Sequence, residues 1–161
     1  MTNTAPRTID PTRHSIELFK LLSALSLILV LFVSGAAAQQ FSPAVDMTAQ
    51  DTYQALQDGT LVLIDIREPD EWAQTGIAQG AYTLSMRDPA FLSKLAVIQD
   101  ENPSKSVAFI CASGNRSGVV QAELARRGYE NMYSVYGGTT GSRQAMGWIR
   151  DGLPIEPWSP G

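Results

Sequence analysis

The chain has one cysteine and one histidine in 161 residues. A lone thiol excludes an internal disulfide. A structural zinc site draws about four ligands from Cys, His or carboxylates, and no such cluster stands in the sequence. The single histidine, His14, lies in the N-terminal segment. Charge is sparse as well, at 17% of residues, with 12 basic against 16 acidic side chains. The basic residues are few and scattered, so no nucleic-acid footprint is present and no nucleic-acid partner is expected. With 44% hydrophobic residues, a packed core is within reach and a disordered chain is not expected. No internal repeat or low-complexity tract interrupts it.

Residues 1–20 carry Arg7, Arg13, His14 and Lys20, and the run Leu21–Val33 is almost wholly apolar. Ser34-Gly35-Ala36-Ala37-Ala38-Gln39 follows. A basic segment, an apolar stretch of roughly 7–15 residues and small residues before a cut make the pattern of a secretory signal peptide. Residues 1–38 are therefore expected to be removed, and the mature protein to be periplasmic or secreted. The alternative is a membrane anchor. A spanning helix needs about 20 apolar residues, more than this run supplies unless it borrows from its flanks. Cleavage after Ala38 removes three of the basic and two of the acidic residues, leaving a net charge of −5. Exported spaces such as the bacterial periplasm are oxidising, so a free cysteine there is either buried and inert or kept for its reactivity.

Residues 39–46 read as a linker and 47–157 as the folded domain. Thr48 with Asp51 marks a helix start, and Gly59 its stop. Leu61–Ile66 and Ser106–Ile110 are continuous apolar runs, the pattern of central strands buried on both faces. Glu68–Trp72 leads into a short helix, and Thr83–Met86 is a candidate strand. Pro89–Gln99 has helical spacing, with Phe91, Leu92, Leu95 and Ile98. Arg116–Arg127 reads as a helix stopped by Gly128, Tyr133–Tyr136 as a strand, and Thr139–Asp151 as a last helix. Strands alternating with helices predict an α/β domain with a mainly parallel central sheet flanked by helices. In such sheets ligands gather at the carboxyl ends of strands, where Asp65 and Cys111 fall.

The segment Cys111-Ala112-Ser113-Gly114-Asn115-Arg116-Ser117 joins a buried strand to a helix. Backbone N–H groups in such a loop converge on one point and suit an anion. The helix dipole and Arg116 add positive charge, which favours an ionised thiol. Gly114 permits the backbone twist a tight loop needs. Ser117 is placed to cap the first turn or to donate to the sulfur. Cys111 is the candidate nucleophile. Arg116 and the cradle of Ala112, Ser113, Gly114, Asn115 and Ser117 are the candidate substrate contacts. The plainer readings are a small buried hydrophobe for Cys111 and a solvated residue for Arg116. For Asp65 they are a cap or a core hydrogen-bond partner, for Arg67 and Glu71 a structural ion pair, and for Trp72 and Trp148 core packing.

This loop resembles the active-site loop of the rhodanese family, C-x-x-G-x-R-S. Asp65-Ile66-Arg67-Glu68-Pro69-Asp70-Glu71-Trp72 is similar to the family's D-[IV]-R-x-x-x-E-[WFY], and Gly76–Ala81 to its G-H-I-P-G-A. Gly137-Gly138, Trp148 and Gly152-Leu153-Pro154 resemble its closing G-G…W…G-x-P. The resemblance covers residues 45–155. It departs in three places: Ile77 stands where the family has His, one extra residue precedes Gly80, and the stretch from Gly138 to Trp148 is long. The resemblance implies a rhodanese-like three-layer domain and a sulfurtransferase. A sulfane sulfur would pass from a donor such as thiosulfate to a thiol or cyanide acceptor through a Cys111 persulfide. It implies supporting roles for Asp65, Arg67 and Glu71, with Glu71 as the ion-pair partner of Arg67. Neither cofactor nor metal is implied. Two alternatives stand beside it. One is a low-turnover persulfide carrier or binding module serving an exported partner. The other is a Cys-dependent phosphatase or arsenate reductase, whose C-x5-R loop is one residue longer than this one.

Overall fold

The computed structural model describes residues 46–160. The expected leader, its expected cleavage site and all but the last residue of the expected linker lie outside the described residues. Asp46, the linker's last position, already belongs to a strand.

Seven strands and four helices follow one another along the described chain. They are β1 (Asp46–Met47), α1 (Ala49–Gln57), β2 (Leu61–Asp65), α2 (Pro69–Thr75), β3 (Ile77–Ala78), β4 (Tyr82–Thr83), α3 (Phe91–Glu101), β5 (Ser106–Ile110), α4 (Asn115–Arg126), β6 (Met132–Val135) and β7 (Ile155–Glu156). Five of the strands form one sheet in the order β1-β6-β5-β2-β4, with every neighbouring pair parallel. A small antiparallel pair, β3 with β7, ties the C-terminal end back against the middle of the chain. The parallel sheet expected from the alternation of elements is thus the observed one.

Local sequence explains the long elements. Thr48 caps α1, its Oγ1 accepting the Asp51 N–H at 3.1 Å. Gly59 ends that helix with a positive φ of 69°. β2 and β5 are buried throughout their apolar lengths because both faces of the sheet are covered. Alternate residues of β2 supply the two faces. Val62 and Ile64 join Leu95 and Ile98 of α3 and Leu124 of α4 in one cluster. Leu61 and Leu63 join Ala49 of α1 and Trp148 in the other. Both tryptophans expected to pack are buried, and the Trp148 indole N–H donates to the Pro154 carbonyl at 2.8 Å.

Two expectations are corrected. No helix forms over 139–151. The segment leaves and returns as a loop, closed by Trp148 N–H to the Gly138 carbonyl at 2.8 Å and Ile149 N–H to the Thr139 carbonyl at 3.0 Å. Gly141 and Gly147, with φ of 94° and 77°, sit in conformations a helix does not contain. The strand expected at Thr83–Met86 is instead the two-residue β4, although Leu84 and Met86 continue hydrogen bonding to Asp65 and Ile66.

Candidate active site

β5 delivers Cys111 directly under the turn that opens α4. Gly114, with φ of 94°, turns the chain, and Asn115 begins the helix. A side chain at 114 would press on the Gly137 N at 3.0 Å and the Val135 carbonyl at 3.3 Å, so the conformation and the space both call for glycine. The Gly114 N–H donates to the Cys111 Sγ at 3.2 Å. The Ser117 hydroxyl lies 3.6 Å from that sulfur and 3.0 Å from the Gly114 carbonyl. Cys111 is 1% exposed and touches the cluster that holds Phe109 and Leu124. The thiol therefore forms the floor beneath the loop rather than an open mouth. Ala112, Ser113 and Gly114 are half-buried above it, and Asn115 is exposed.

The loop is braced from the far side by the segment after β6. Thr139 N–H donates to the Cys111 carbonyl at 2.7 Å. The Thr140 N–H and hydroxyl both donate to the Ala112 carbonyl, at 2.9 and 3.0 Å. Gly138 lies so close to the loop that no side chain fits there: a Cβ would stand 2.7 Å from both Ala112 C and Ser113 N. This brace was not read from the sequence. The dense glycines at 137, 138 and 141 were its available signal.

The partner of Glu71 is Arg116, not Arg67. Arg116 Nη1 donates to Glu71 Oε2 at 2.8 Å, and its Nη2 donates to Oε1. The carboxylate is itself fixed, since Glu71 is the third residue of α2 and accepts the Glu68 N–H at 3.0 Å in a capping box. The Arg116 hydrogen bond holds the Glu71 carboxyl below the usual glutamate range, against the opposing effect of partial burial. The pKa of Arg116 is raised, chiefly by Glu71 and to a smaller degree by the nearby Cys111 side chain.

Arg67 is 1% exposed and pairs with Asp65, which is fully buried. The guanidinium donates to both Asp65 oxygens, with Nη2 to Oδ2 at 2.6 Å. Its remaining donors reach Thr75 Oγ1 at 2.7 Å, the Gly76 carbonyl at 2.8 Å and the Glu71 carbonyl at 3.3 Å. A buried charge pair needs such complete satisfaction. The pair closes the C-terminal end of β2, where the Ile66 N–H bonds the Ile110 carbonyl beside Cys111. Asp65 and Arg67 are buried, and their polar atoms face each other and the Thr75–Gly76 end of α2.

With the geometry established, comparisons with known proteins decide the lineage. The sequence model of the Rhodanese-like domain matches residues 48–145. The chain belongs to the rhodanese-like family. An uncharacterized protein of Rickettsia prowazekii is 32% identical over 98 residues, covering 57% of this chain and 80% of that relative. A relative named thiosulfate sulfurtransferase GlpE, from Actinobacillus succinogenes, is 31% identical over 111 residues, 69% of this chain and 89% of its own. Among solved structures, Rv0390 of M. tuberculosis superimposes with a TM-score of 0.58 at 26% identity, covering 73% of this chain and all of its own. The family match and the relative named as a sulfurtransferase support a sulfurtransferase-type activity.

Proposed function

We propose that this rhodanese-like protein is an exported sulfurtransferase that carries sulfane sulfur on Cys111. One observation carries the reading: a strand-to-helix turn aims the Gly114 N–H at the only thiol of the chain, and Arg116 stands in the first turn of the helix that follows. In the first half-reaction the ionised Cys111 sulfur attacks the outer sulfur of thiosulfate. The Cys–S bond to that sulfur forms, the S–S bond of the donor breaks, and sulfite leaves with the electron pair. In the second, cyanide or a thiolate attacks the terminal sulfur, departs as thiocyanate or a persulfide, and restores Cys111. Gly114 N–H and the start of α4 balance the negative charge that stays at the sulfur through both steps.

Cys111 is buried, which favours a small donor over a bulky one. Engagement of both terminal nitrogens of Arg116 by Glu71 favours the second reading, a slow carrier, because an anionic donor must compete with a carboxylate already in place. The two are separated by assay. Turnover of thiosulfate and cyanide to thiocyanate, abolished in Cys111→Ser, supports the enzyme. A persulfide that forms on Cys111 but is not discharged to cyanide or thiols supports the carrier. Phosphate release from an aryl phosphate would contradict both. Export is tested separately: an N-terminus at Gln39 in the periplasmic or secreted fraction supports cleavage, and Met1 retained in membranes supports the anchor.

A further inference from the structure

Behind the sulfur lies a second hydroxyl that no motif marks. Ser134 on β6 is fully buried, and so is Ser117. The two oxygens are 3.0 Å apart, and among the described residues Ser117 is the one hydrogen-bond partner of the Ser134 side chain. Ser117 faces two further groups, the Gly114 carbonyl at 3.0 Å and the Cys111 sulfur at 3.6 Å. Proton counting constrains the cluster. Ser117 owns one hydrogen, and its neighbours on two sides accept. The Gly114 carbonyl accepts always, and the sulfur accepts when ionised. Among the described residues, the Ser117 oxygen is the one acceptor within reach of the Ser134 hydrogen. A buried hydroxyl is costly unless paired, so that donation is fixed.

We propose that Ser134 is a positioning residue for Cys111, acting through Ser117: its donated hydrogen bond keeps Ser117 oriented as a donor toward the sulfur or the Gly114 carbonyl. While Cys111 keeps its proton, the S–H faces the Ser117 oxygen and Ser117 donates to the Gly114 carbonyl. When the sulfur is ionised, or carries a terminal sulfur, Ser117 turns its hydrogen to it and Ser134 continues to polarise that bond. Arg116 on α4 is the charged group coupled to the thiol, and it is paired with Glu71 on α2; the buried Asp65–Arg67 pair at the end of β2 is mutually neutralised. The two serines adjust the sulfur without adding charge to that set.

The inference rests on the sulfur chemistry proposed above only for its purpose, and its test reads the thiol directly. Alkylation of Cys111 by iodoacetamide is followed against pH in the parent, Ser134→Ala, Ser117→Ala and the double variant. Ser134→Ala should slow alkylation measurably on the acid side of the curve, by at most about fivefold, the factor expected if Ser117 loses its bond to the sulfur altogether. The double variant should behave as Ser117→Ala alone, because Ser134 works through that residue. A Ser134→Ala curve identical to the parent, or an equal further loss from Ser134→Ala in the Ser117→Ala background, overturns the proposal. If Ser134→Ala does not fold, the decision passes to Ser117→Ala and to Ser134→Thr, which keeps the hydroxyl. The first should shift the curve and the second leave it in place, and the reverse pattern overturns it. A lowered Tm with unchanged alkylation would mark a merely structural serine. Should the parent fail to accept sulfur from thiosulfate, the functional reading falls, while the alkylation comparison still decides the role of Ser134.

Discussion

Replacing Gly138 by alanine tests whether the segment after β6 holds the active loop in place. Gly138 has φ of 60°, and its missing side chain leaves the room in which the Cys111–Ser113 backbone runs. A left-handed conformation costs a non-glycine residue about 1–2 kcal/mol. The new methyl cannot be accommodated by a flexible neighbour, because the atoms it meets are all backbone. Separation of the two segments breaks the bonds from Thr139 to the Cys111 carbonyl and from Thr140 to the Ala112 carbonyl. Each is worth about 1 kcal/mol net. With the Thr140 hydroxyl bond counted as well, the three bonds and the conformational cost total about 4–5 kcal/mol, which in a domain of this size lowers Tm by about 12–25 °C. Gly128→Ala is the control. Gly128 has φ of 87° with open space around its Cβ position, so only the conformational cost applies. Thermal unfolding by circular dichroism and the rate of sulfur loading from thiosulfate are measured for both. Gly138→Ala should be the less stable and should load sulfur more slowly, with Gly128→Ala loading at the parent rate. Equal stability of the two variants, with equal loading, would refute the bracing argument.

Two further substitutions follow from the charge pairs. Asp65→Asn leaves the buried Arg67 guanidinium without its carboxylate and should cost about 3–5 kcal/mol in urea unfolding; a loss below about 1 kcal/mol would contradict the assigned pairing. Glu71→Gln removes the carboxylate whose pKa Arg116 lowers. Because the folded-state value lies below the unfolded one, the stabilisation is present above the ordinary glutamate range and disappears as pH falls through the lowered value. The stability difference between parent and Glu71→Gln should therefore shrink on acidification. It should stay below about 1 kcal/mol at neutral pH, since the pair is partly exposed. A difference independent of pH would exclude the pair as its source.

What the sequence disclosed and what it hid divide along physical lines. Leu61–Asp65 and Ser106–Ile110 were legible because strands buried on both faces must be apolar throughout. The helix Asn115–Arg126 was legible because Gly128 ends it and a loop with glycine opens it. β1, β3, β4 and β7 are two residues each, too short for any period to register. The helix expected at 139–151 rested on the stop signals Gly152 and Pro154 beyond it, and two glycines inside the segment outweigh them. Gly141 and Gly147 pack against each other and carry the chain through a loop that closes on Gly138 and Thr139. The expected Arg67–Glu71 pair fails because Arg67 precedes α2, which begins at Pro69, and is taken up by Asp65. Glu71 meets Arg116 across 45 positions of sequence, and Ser134 meets Ser117 across 17, distances that only the fold can bring together.

The central claim is that Cys111 accepts a sulfur atom. Intact mass spectrometry of the purified protein after incubation with thiosulfate tests it most directly. The account predicts a gain of one sulfur atom on the parent chain, reversed by cyanide and absent from Cys111→Ser. An unchanged parent mass, or the same gain in Cys111→Ser, would contradict it.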